Sequence, residues 1–325
     1  MLTKRYLYCL IPLSFIFLQC KPSQSVLDKV MSSSNPSIKR VRQQLKKHEV
    51  QIVLTEINTE QPTAPQLLRS SFQLDEEHYF YPASTAKLPI AALTLQKLNE
   101  LNTQGIPIKP TTAFEIRDLQ GKAIQLTDTT QREGKLTLAH LIKKIFLVSD
   151  NDAYNYLFDF LGRDYINQEL QKKGLKKTQI FHKFLFGADN IRTWEYTFFD
   201  EFGDTLYQQN SLKSKFNAEN KLSGVFKGEG FLQDGEVVKA PMDFRFKNRI
   251  SLLDLEGILM RLIYPQLFTI DQQFTLNDKD LEFLRFWMSR STLESSSPNY
   301  DDGDHWDSYG KFFIYGDQKG KMTDQ

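Results

Sequence analysis

Two short motifs contain the residues best suited to nucleophilic chemistry. In the segment YPASTAKLPIAALTLQKL (81–98), Ser84 and Lys87 stand three positions apart, which places both side chains on one face of a helix. A serine hydroxyl becomes a strong nucleophile when a neighbouring base takes its proton, and a lysine can be that base when burial lowers its pKa. The second motif, Ser149-Asp150-Asn151, occurs once in the chain.

The same serine-lysine spacing occurs a second time, at Ser308 and Lys311. This pair runs from an acidic loop into a predicted strand, KFFIYGD (311–317), in which neighbouring side chains point to alternate faces. Ser84 instead opens a strong helical pattern, and a helix N-terminus stabilises the negative charge that develops at an attacked carbonyl. Sequence context therefore favours Ser84 as the nucleophile.

The elements that must position these motifs are helices. Apolar residues recur at helical spacing over 84–101 and predict a buried helix. Pro89 lies in its second turn, where the missing N–H predicts a tight or slightly bent start. Thr137 is predicted to cap a second helix and Gly162 to end a third, so the Ser149-Asp150-Asn151 motif is expected on the turn between those two.

The chain divides into a leader (1–20), a polar flexible tether (21–36) and a folded domain (37–325). Within the domain, Ser37 is predicted to cap a short helix that carries Ile38, Val41 and Leu45. Other predicted elements are a strand at 48–57, a strand before Tyr81, loops and short strands in the aromatic region after Gly174, and helices that begin at Ser251 and Asn277.

Composition excludes several classes of protein. The 325 residues are 40% apolar with a net charge of +1, which allows a substantial core and gives no basic patch for nucleic acid. Both cysteines, Cys9 and Cys20, lie in the first twenty residues, and the five histidines show no zinc-site spacing. We therefore expect no metal, no cofactor and no nucleic-acid partner.

The first residues resemble a bacterial lipoprotein leader. Lys4 and Arg5 precede an apolar run that is too short for a typical membrane-spanning helix, and FLQC ends at Cys20. Cys20 is the expected lipidation site, although Gln19 replaces the usual small residue. An ordinary cleaved signal or an uncleaved anchor is the alternative. In each case we expect the body outside the cytoplasm, and with a lipidated Cys20 it is expected on the periplasmic side, lipid-anchored to a membrane.

The two motifs, in this order, resemble the serine β-lactamase and penicillin-binding protein superfamily, and class A β-lactamases most of all. The resemblance extends from about Ser37 over most of the chain. It implies an α+β fold in which an antiparallel sheet is flanked by helices and accompanied by an all-α lobe.

The resemblance also implies a role for each motif residue. Ser84 would attack the lactam carbonyl, and Lys87 would take or relay its proton. Ser149 would pass a proton toward the leaving nitrogen, and Asn151 would bind the amide of the substrate side chain. Asp150 is expected to be structural, since such residues accept backbone N–H bonds in turns.

Two motifs of the superfamily are absent from the sequence. No K-[ST]-G stands in a strand context, because Lys172-Lys173-Gly174 is misplaced and Lys319-Gly320 lacks a strand, so the domain is expected to be truncated at its C-terminus. No E-x-x-L-N follows the second motif, and neither Glu195 nor Glu201 matches the glutamate that activates the deacylating water.

Three functions are consistent with these features. The first is hydrolysis of β-lactams through a Ser84 acyl-enzyme. The second is a penicillin-binding D-Ala-D-Ala carboxypeptidase or transpeptidase-like activity on peptidoglycan peptides, in which the acyl-enzyme would persist if no deacylating base is present. The third is a catalytically inactive envelope lipoprotein that keeps the fold for binding.

Overall fold

The structure, a computed structural model, describes residues 25–58, 66–185, 187–233, 235–301 and 303–311. The chain forms two compact units, one comprising Met1–Glu56 with Leu68–Gln73 and the other Ile57–Leu67 with Leu74–Gln325. The predicted leader, Cys20 and most of the predicted strand at 311–317 lie outside the described residues. The described part contains no helix long and apolar enough to cross a membrane.

The first unit contains two short helices, and both differ from the sequence prediction. Helix α1 (Val26–Met31) forms within the segment predicted to be a flexible tether, because Ser25 and Asp28 close a capping box. Helix α2 (Pro36–Arg42) is capped by Asn35 and not by Ser37, since Pro36 already has the backbone angle suited to a first helical residue.

Helix α2 also ends before Leu45, which the prediction included in it. The strands β1 (Ile52–Asn58) and β2 (Gln66–Phe72) pair as a two-stranded sheet. Their positions agree with the predicted strand at 48–57 and with the strand expected before Tyr81.

The second unit is built around helix α3 (Lys87–Thr103), which follows a 3-10 turn over Ala83–Ala86. Pro89 is the third residue of α3. The first four N–H groups of a helix have no acceptor within it, so a proline at this position removes no hydrogen bond from α3. The tight start predicted from Pro89 is therefore confirmed as the 3-10 turn. The helix is buried along most of its length, with Ile90, Leu93 and neighbouring residues at the centre of the core.

Helices α4 (Leu138–Leu147) and α5 (Asn151–Leu161) pack on α3 and flank the turn predicted at Ser149-Asp150-Asn151. Thr137 caps α4, as the sequence predicts, through a hydrogen bond from the His140 N–H. Gly162, with a φ of 77°, ends α5. The remaining helices are α6 (Arg163–Lys172), α7 (Leu252–Ile263) and α8 (Asp278–Ser289), of which α7 and α8 begin at the predicted caps Ser251 and Asn277.

The main sheet of the second unit is antiparallel, with the strand order β4 (Ala123–Gln125), β3 (Ala113–Arg117), β6 (Glu195–Phe199) and β7 (Thr205–Gln209). Phe114, Tyr196 and Phe198 are buried on it. The ring of Phe114 contacts those of Tyr196 and Phe198, and these two contact the ring of Phe160 from α5. The aromatic region thus supplies two sheet strands and part of the core.

The other described strands make small pairs and not one continuous sheet, in contrast to the single flanked sheet that was expected. Each of these strands is two or three residues long. Gly228, Gly230 and Gly235 lie between the strands of the 226–243 region and limit their length, because glycine has no side chain to pack on a sheet. The pairs are β5 (Thr178–Gln179) with β12 (Arg249–Ile250), β8 (Phe226–Lys227) with β11 (Met242–Asp243), and β9 (Phe231–Gln233) with β10 (Glu236–Val238).

Candidate active site

Ser84 lies in the 3-10 turn that leads into α3, with its side chain exposed. The preceding residue, Ala83, has a φ of 45°, a conformation that non-glycine residues rarely adopt. Lys87 begins α3 and is only 2% exposed, and its Nζ lies 3.2 Å from Ser84 Oγ. The turn thus presents an open hydroxyl beside a buried amine.

The turn between α4 and α5 brings a second set of polar groups to the same amine. Ser149 has a φ of 57°, and both its hydroxyl, at 2.8 Å, and its backbone carbonyl accept from Lys87 Nζ. Asn151 Oδ1 also lies 2.8 Å from Nζ. Ser84, Lys87, Ser149 and Asn151, far apart in sequence, therefore meet at one nitrogen.

The environment of Lys87 favours loss of its proton. Burial lowers its pKa to about 8, and the nearby charge of Asp150 opposes part of that shift. A neutral amine has a lone pair, so the contact with Ser84 Oγ can equally be a hydroxyl that donates to nitrogen. At neutral to mildly alkaline pH, Lys87 can act as a base toward Ser84.

Asp150 lies next to this group but is engaged in its own turn. Its Oδ1 accepts from the Ala153 N–H at 2.8 Å, which caps α5. Its Oδ2 lies 3.4 Å from Lys144 Nζ, and that amine also pairs with the buried Asp128 at 3.1 Å. Lys144 therefore ties the motif turn to the 128–134 loop.

The side chain of His140 lies at the buried end of the network formed by Asp150, Lys144 and Asp128, and it is uncharged. Its Nε2 is 2.9 Å from Thr130 Oγ1, and burial lowers its pKa to about 4. Thr130 in turn bonds Asp128 through both its N–H and its hydroxyl. These contacts hold the carboxylate that fixes Lys144.

An aromatic side chain lies beside Lys87, and the sequence analysis did not identify it. The ring centroid of Phe184 is 5.3 Å from Lys87 Nζ, a cation-π distance. The Phe184 N–H donates to Asn155 Oδ1 at 2.7 Å, and Asn155 is 1% exposed. A polar residue on a predicted apolar helix, one turn after Asn151, was the available signal for this contact.

The other residues considered from the sequence lie elsewhere. Glu195 opens β6 opposite Arg117 of β3, and Glu201 is in the exposed turn after β6. The hydrogen bonds of Lys87 go instead to Ser84, Ser149 and Asn151. Lys173, at the end of α6, pairs with Glu169 at 3.4 Å. Lys311 Nζ donates to the carbonyls of Trp287, Met288 and Arg290 at the end of α8.

Comparison with known proteins identifies the family of this chain. The chromosome-encoded beta-lactamase of Vibrio parahaemolyticus is a similar solved structure, with 12% identity, a TM-score of 0.38, and coverage of 77% of this chain and 68% of that one. No curated protein matches. A model of the beta-lactamase enzyme family matches residues 36–219, which is more than half of the chain. The chain therefore belongs to the beta-lactamase enzyme family.

Proposed function

We propose that the protein opens the amide of β-lactams through an acyl-enzyme on Ser84, as class A enzymes of the serine β-lactamase group do. One observation carries the proposal: the buried Lys87 Nζ lies within 3.2 Å of Ser84 Oγ, Ser149 Oγ and Asn151 Oδ1. The pKa of Lys87, lowered to about 8, lets this amine exchange protons at working pH.

The acylation step follows from these contacts. Neutral Lys87 takes the proton of Ser84 Oγ while the oxygen forms a bond to the lactam carbonyl carbon, and the carbonyl oxygen becomes an oxyanion. The Ser84 backbone N–H, at the start of the helical segment, supplies one oxyanion donor. The carbonyl reforms as the C–N bond breaks. The Ser149 hydroxyl gives its proton to the departing nitrogen and recovers one from Lys87.

Asn151 has a binding role in this proposal. Its Oδ1 accepts from Lys87 Nζ at 2.8 Å, which fixes the carboxamide and leaves the Nδ2 end to meet the amide carbonyl of a substrate side chain. Asp150 stays structural, because both of its oxygens are engaged by Ala153 and Lys144.

A second candidate function is that of a penicillin-binding carboxypeptidase or transpeptidase-like protein, whose acyl-enzyme persists. A persistent acyl-enzyme is favoured by the lack of a free carboxylate beside Lys87 within the described ranges. Asp150 is the carboxylate there whose charge affects the pKa of Lys87, and both of its oxygens are engaged by Ala153 and Lys144. A catalytically inactive envelope protein is the third candidate, and it predicts no covalent adduct with any β-lactam.

The test is intact-mass analysis of the mature body with a penicillin over time, together with substrate consumption. A Ser84-dependent adduct is expected, absent in Ser84→Ala and present in Ser308→Ala, the matched serine of the other pair. Turnover with a transient adduct identifies a β-lactamase, and a lasting adduct identifies a penicillin-binding protein. No adduct on folded protein contradicts both proposals.

We further propose that the body is held outside the cytoplasm, on the periplasmic side, by a lipid on Cys20. The support is the sequence alone: two basic residues, a short apolar run and a cysteine at its end. Metabolic labelling with a fatty acid is expected to mark the wild-type chain and not Cys20→Ala. Equal labelling of both would contradict the lipid anchor at this residue.

A further inference from the structure

We infer that the first unit lies on an anionic phospholipid bilayer, which it contacts through basic side chains of α2 and of the turn after it. These side chains, here called the basic segment, are Lys39, Arg40, Arg42, Lys46 and Lys47. The inference goes beyond the proposed Ser84 chemistry and does not depend on it.

Positive charge is concentrated in the first unit. The whole chain has 41 basic and 40 acidic residues. The described part of this unit, 25–56 with 68–73, has seven basic residues and three acidic ones. Five of the seven lie within 39–47, where no acidic residue occurs. In a nearly neutral chain, this segment is therefore a preferred surface for an anionic partner.

The charges of the basic segment are available to an external partner. All five side chains are exposed to solvent, and no residue that the structure describes forms an ion pair with any of them. The apolar residues that alternate with them, Ile38, Val41 and Leu45, are half-buried. Packing of the unit thus uses the apolar residues and leaves the cations in water.

Helix α1, which contacts α2, adds exposed apolar side chains. Val26 and Val30, one helical turn apart, are 45% and 46% exposed, whereas Leu27 and Met31 are buried. Segments that lie at a bilayer surface combine these two features, because their cations meet the lipid phosphates while their aliphatic groups enter the boundary of the acyl chains. A soluble polyanion would use the charge alone, so the valines favour a bilayer as the partner.

The position of the unit in the chain fits the same partner. Five residues separate Cys20 from Val26, and an extended chain spans at most about 3.6 Å per residue. A lipid on Cys20, as proposed above, would therefore hold the start of α1 within roughly 20 Å of the bilayer. Such a tether raises the effective concentration of the unit at the membrane, so a modest attraction is sufficient to keep it there.

The test measures partition of the full chain into two kinds of vesicle over a lipid dilution series. One kind is phosphatidylcholine alone, and the other is phosphatidylcholine with phosphatidylglycerol in equal parts. A lipid on Cys20 or an uncleaved leader is present in every variant, so changes in the ratio of the two partition coefficients report the charge that was removed. We expect the wild type to prefer the anionic vesicles.

The decisive variant changes the three lysines of the basic segment to glutamine. Each basic residue near an anionic surface contributes about fivefold to binding, so the ratio should fall at least about tenfold. The matched control removes the same charge from three exposed lysines of the second unit and should keep the wild-type ratio. The two proteins compared are Lys39→Gln/Lys46→Gln/Lys47→Gln and Lys122→Gln/Lys239→Gln/Lys279→Gln.

Two further measurements separate a bilayer contact from other effects. Raising the salt from about 0.1 M to about 1 M shortens the screening length from about 10 Å to about 3 Å, which should bring the wild type close to the triple variant. Val26→Ser/Val30→Ser should weaken binding to the anionic vesicles by about threefold or more. Unchanged binding of this variant would indicate a surface for soluble anions and overturn the bilayer contact.

The remaining outcomes are assigned as follows. A wild-type ratio near one, an equal fall in both triple variants, or a ratio that salt leaves unchanged would overturn the inference. Absence of a lipid on Cys20 would lower both partition coefficients without removing the effect of the lysine variant. Failure of the Ser84 chemistry would leave partition unchanged, so each failure is distinguishable from the others.

Discussion

The chain contains two serine-lysine pairs with the same spacing, and they differ in what surrounds the lysine. Lys87 is buried and Lys311 is half-buried, and burial lowers the pKa of each to about 8. Lys87 Nζ faces two hydroxyls and a carboxamide in addition to one backbone carbonyl. Lys311 Nζ faces backbone carbonyls at the end of α8.

This difference shows that neither spacing nor a lowered pKa is sufficient for a catalytic lysine. A hydroxyl can lose and regain a proton, so Lys87 can exchange protons with Ser84 and Ser149. A carbonyl accepts hydrogen bonds only, and a cation there satisfies the unpaired carbonyls of a helix C-terminus. Lys311 is therefore a structural lysine that stabilises the end of α8.

The largest expected effect comes from removing the lysine of the first pair. Lys87→Met leaves Ser84 without a base, so the rate of acylation by a penicillin should fall by about 10²- to 10⁴-fold. Stopped-flow or quenched intact-mass kinetics measures this rate. Lys311→Met is the matched control and should acylate at nearly the wild-type rate; an equal loss in both variants would contradict the distinction between the pairs.

The pH dependence of the acylation rate should follow the titration of the Lys87 amine. The neutral amine is the active form, and its pKa in the folded protein is about 8, so the acylation rate should rise with pH and level off above that value. Below it, each pH unit should lower the rate about tenfold. Lys311→Met should keep this profile. A rate independent of pH from 6 to 9 would exclude Lys87 as the base.

A smaller loss is expected when the motif turn is loosened. Lys144→Met removes the cation between Asp128 and Asp150, which should misplace Ser149 and Asn151 and slow acylation by about 10- to 100-fold. The pH at which the rate levels off should stay near its wild-type value. Lys143→Met, at the neighbouring position, is the control and should acylate normally, so equal losses would remove Lys144 from the site.

The smallest effect should be on stability alone. Lys311→Met leaves carbonyls at the end of α8 without their donor, and we expect the free energy of unfolding to fall by about 1–3 kcal/mol. Urea denaturation measures the change. Unchanged stability together with slower acylation would reverse the roles assigned to the two lysines.

Local sequence signals predicted the elements that hold the motifs. Thr137, Ser251 and Asn277 each cap a helix as expected, because a cap is a contact within one turn. The tight 3-10 entry to α3, expected from Pro89, is likewise a local feature of the chain. The predicted cap at Ser37 was wrong because Asn35 and Pro36 offered a better start two residues earlier.

The parts of the site that depend on contacts across the chain could not be predicted. Phe184 reaches Lys87 because Asn155 binds its backbone, and neither spacing nor periodicity encodes that pairing. The network from His140 to Lys144 also joins residues from separate elements. Glu195 follows the second motif, in the part of the sequence where the superfamily has its deacylating glutamate, but it lies in β6. Proximity in sequence therefore does not place a carboxylate at the site.

The most direct test of the central claim locates the adduct in the chain. The protein is treated with a penicillin, quenched in acid, digested with pepsin, and the peptides are sequenced by mass spectrometry. The account predicts a penicilloyl group on the peptide that contains Ser84 and an unmodified peptide that contains Ser308. Modification elsewhere, or none on a folded and otherwise intact protein, would contradict it.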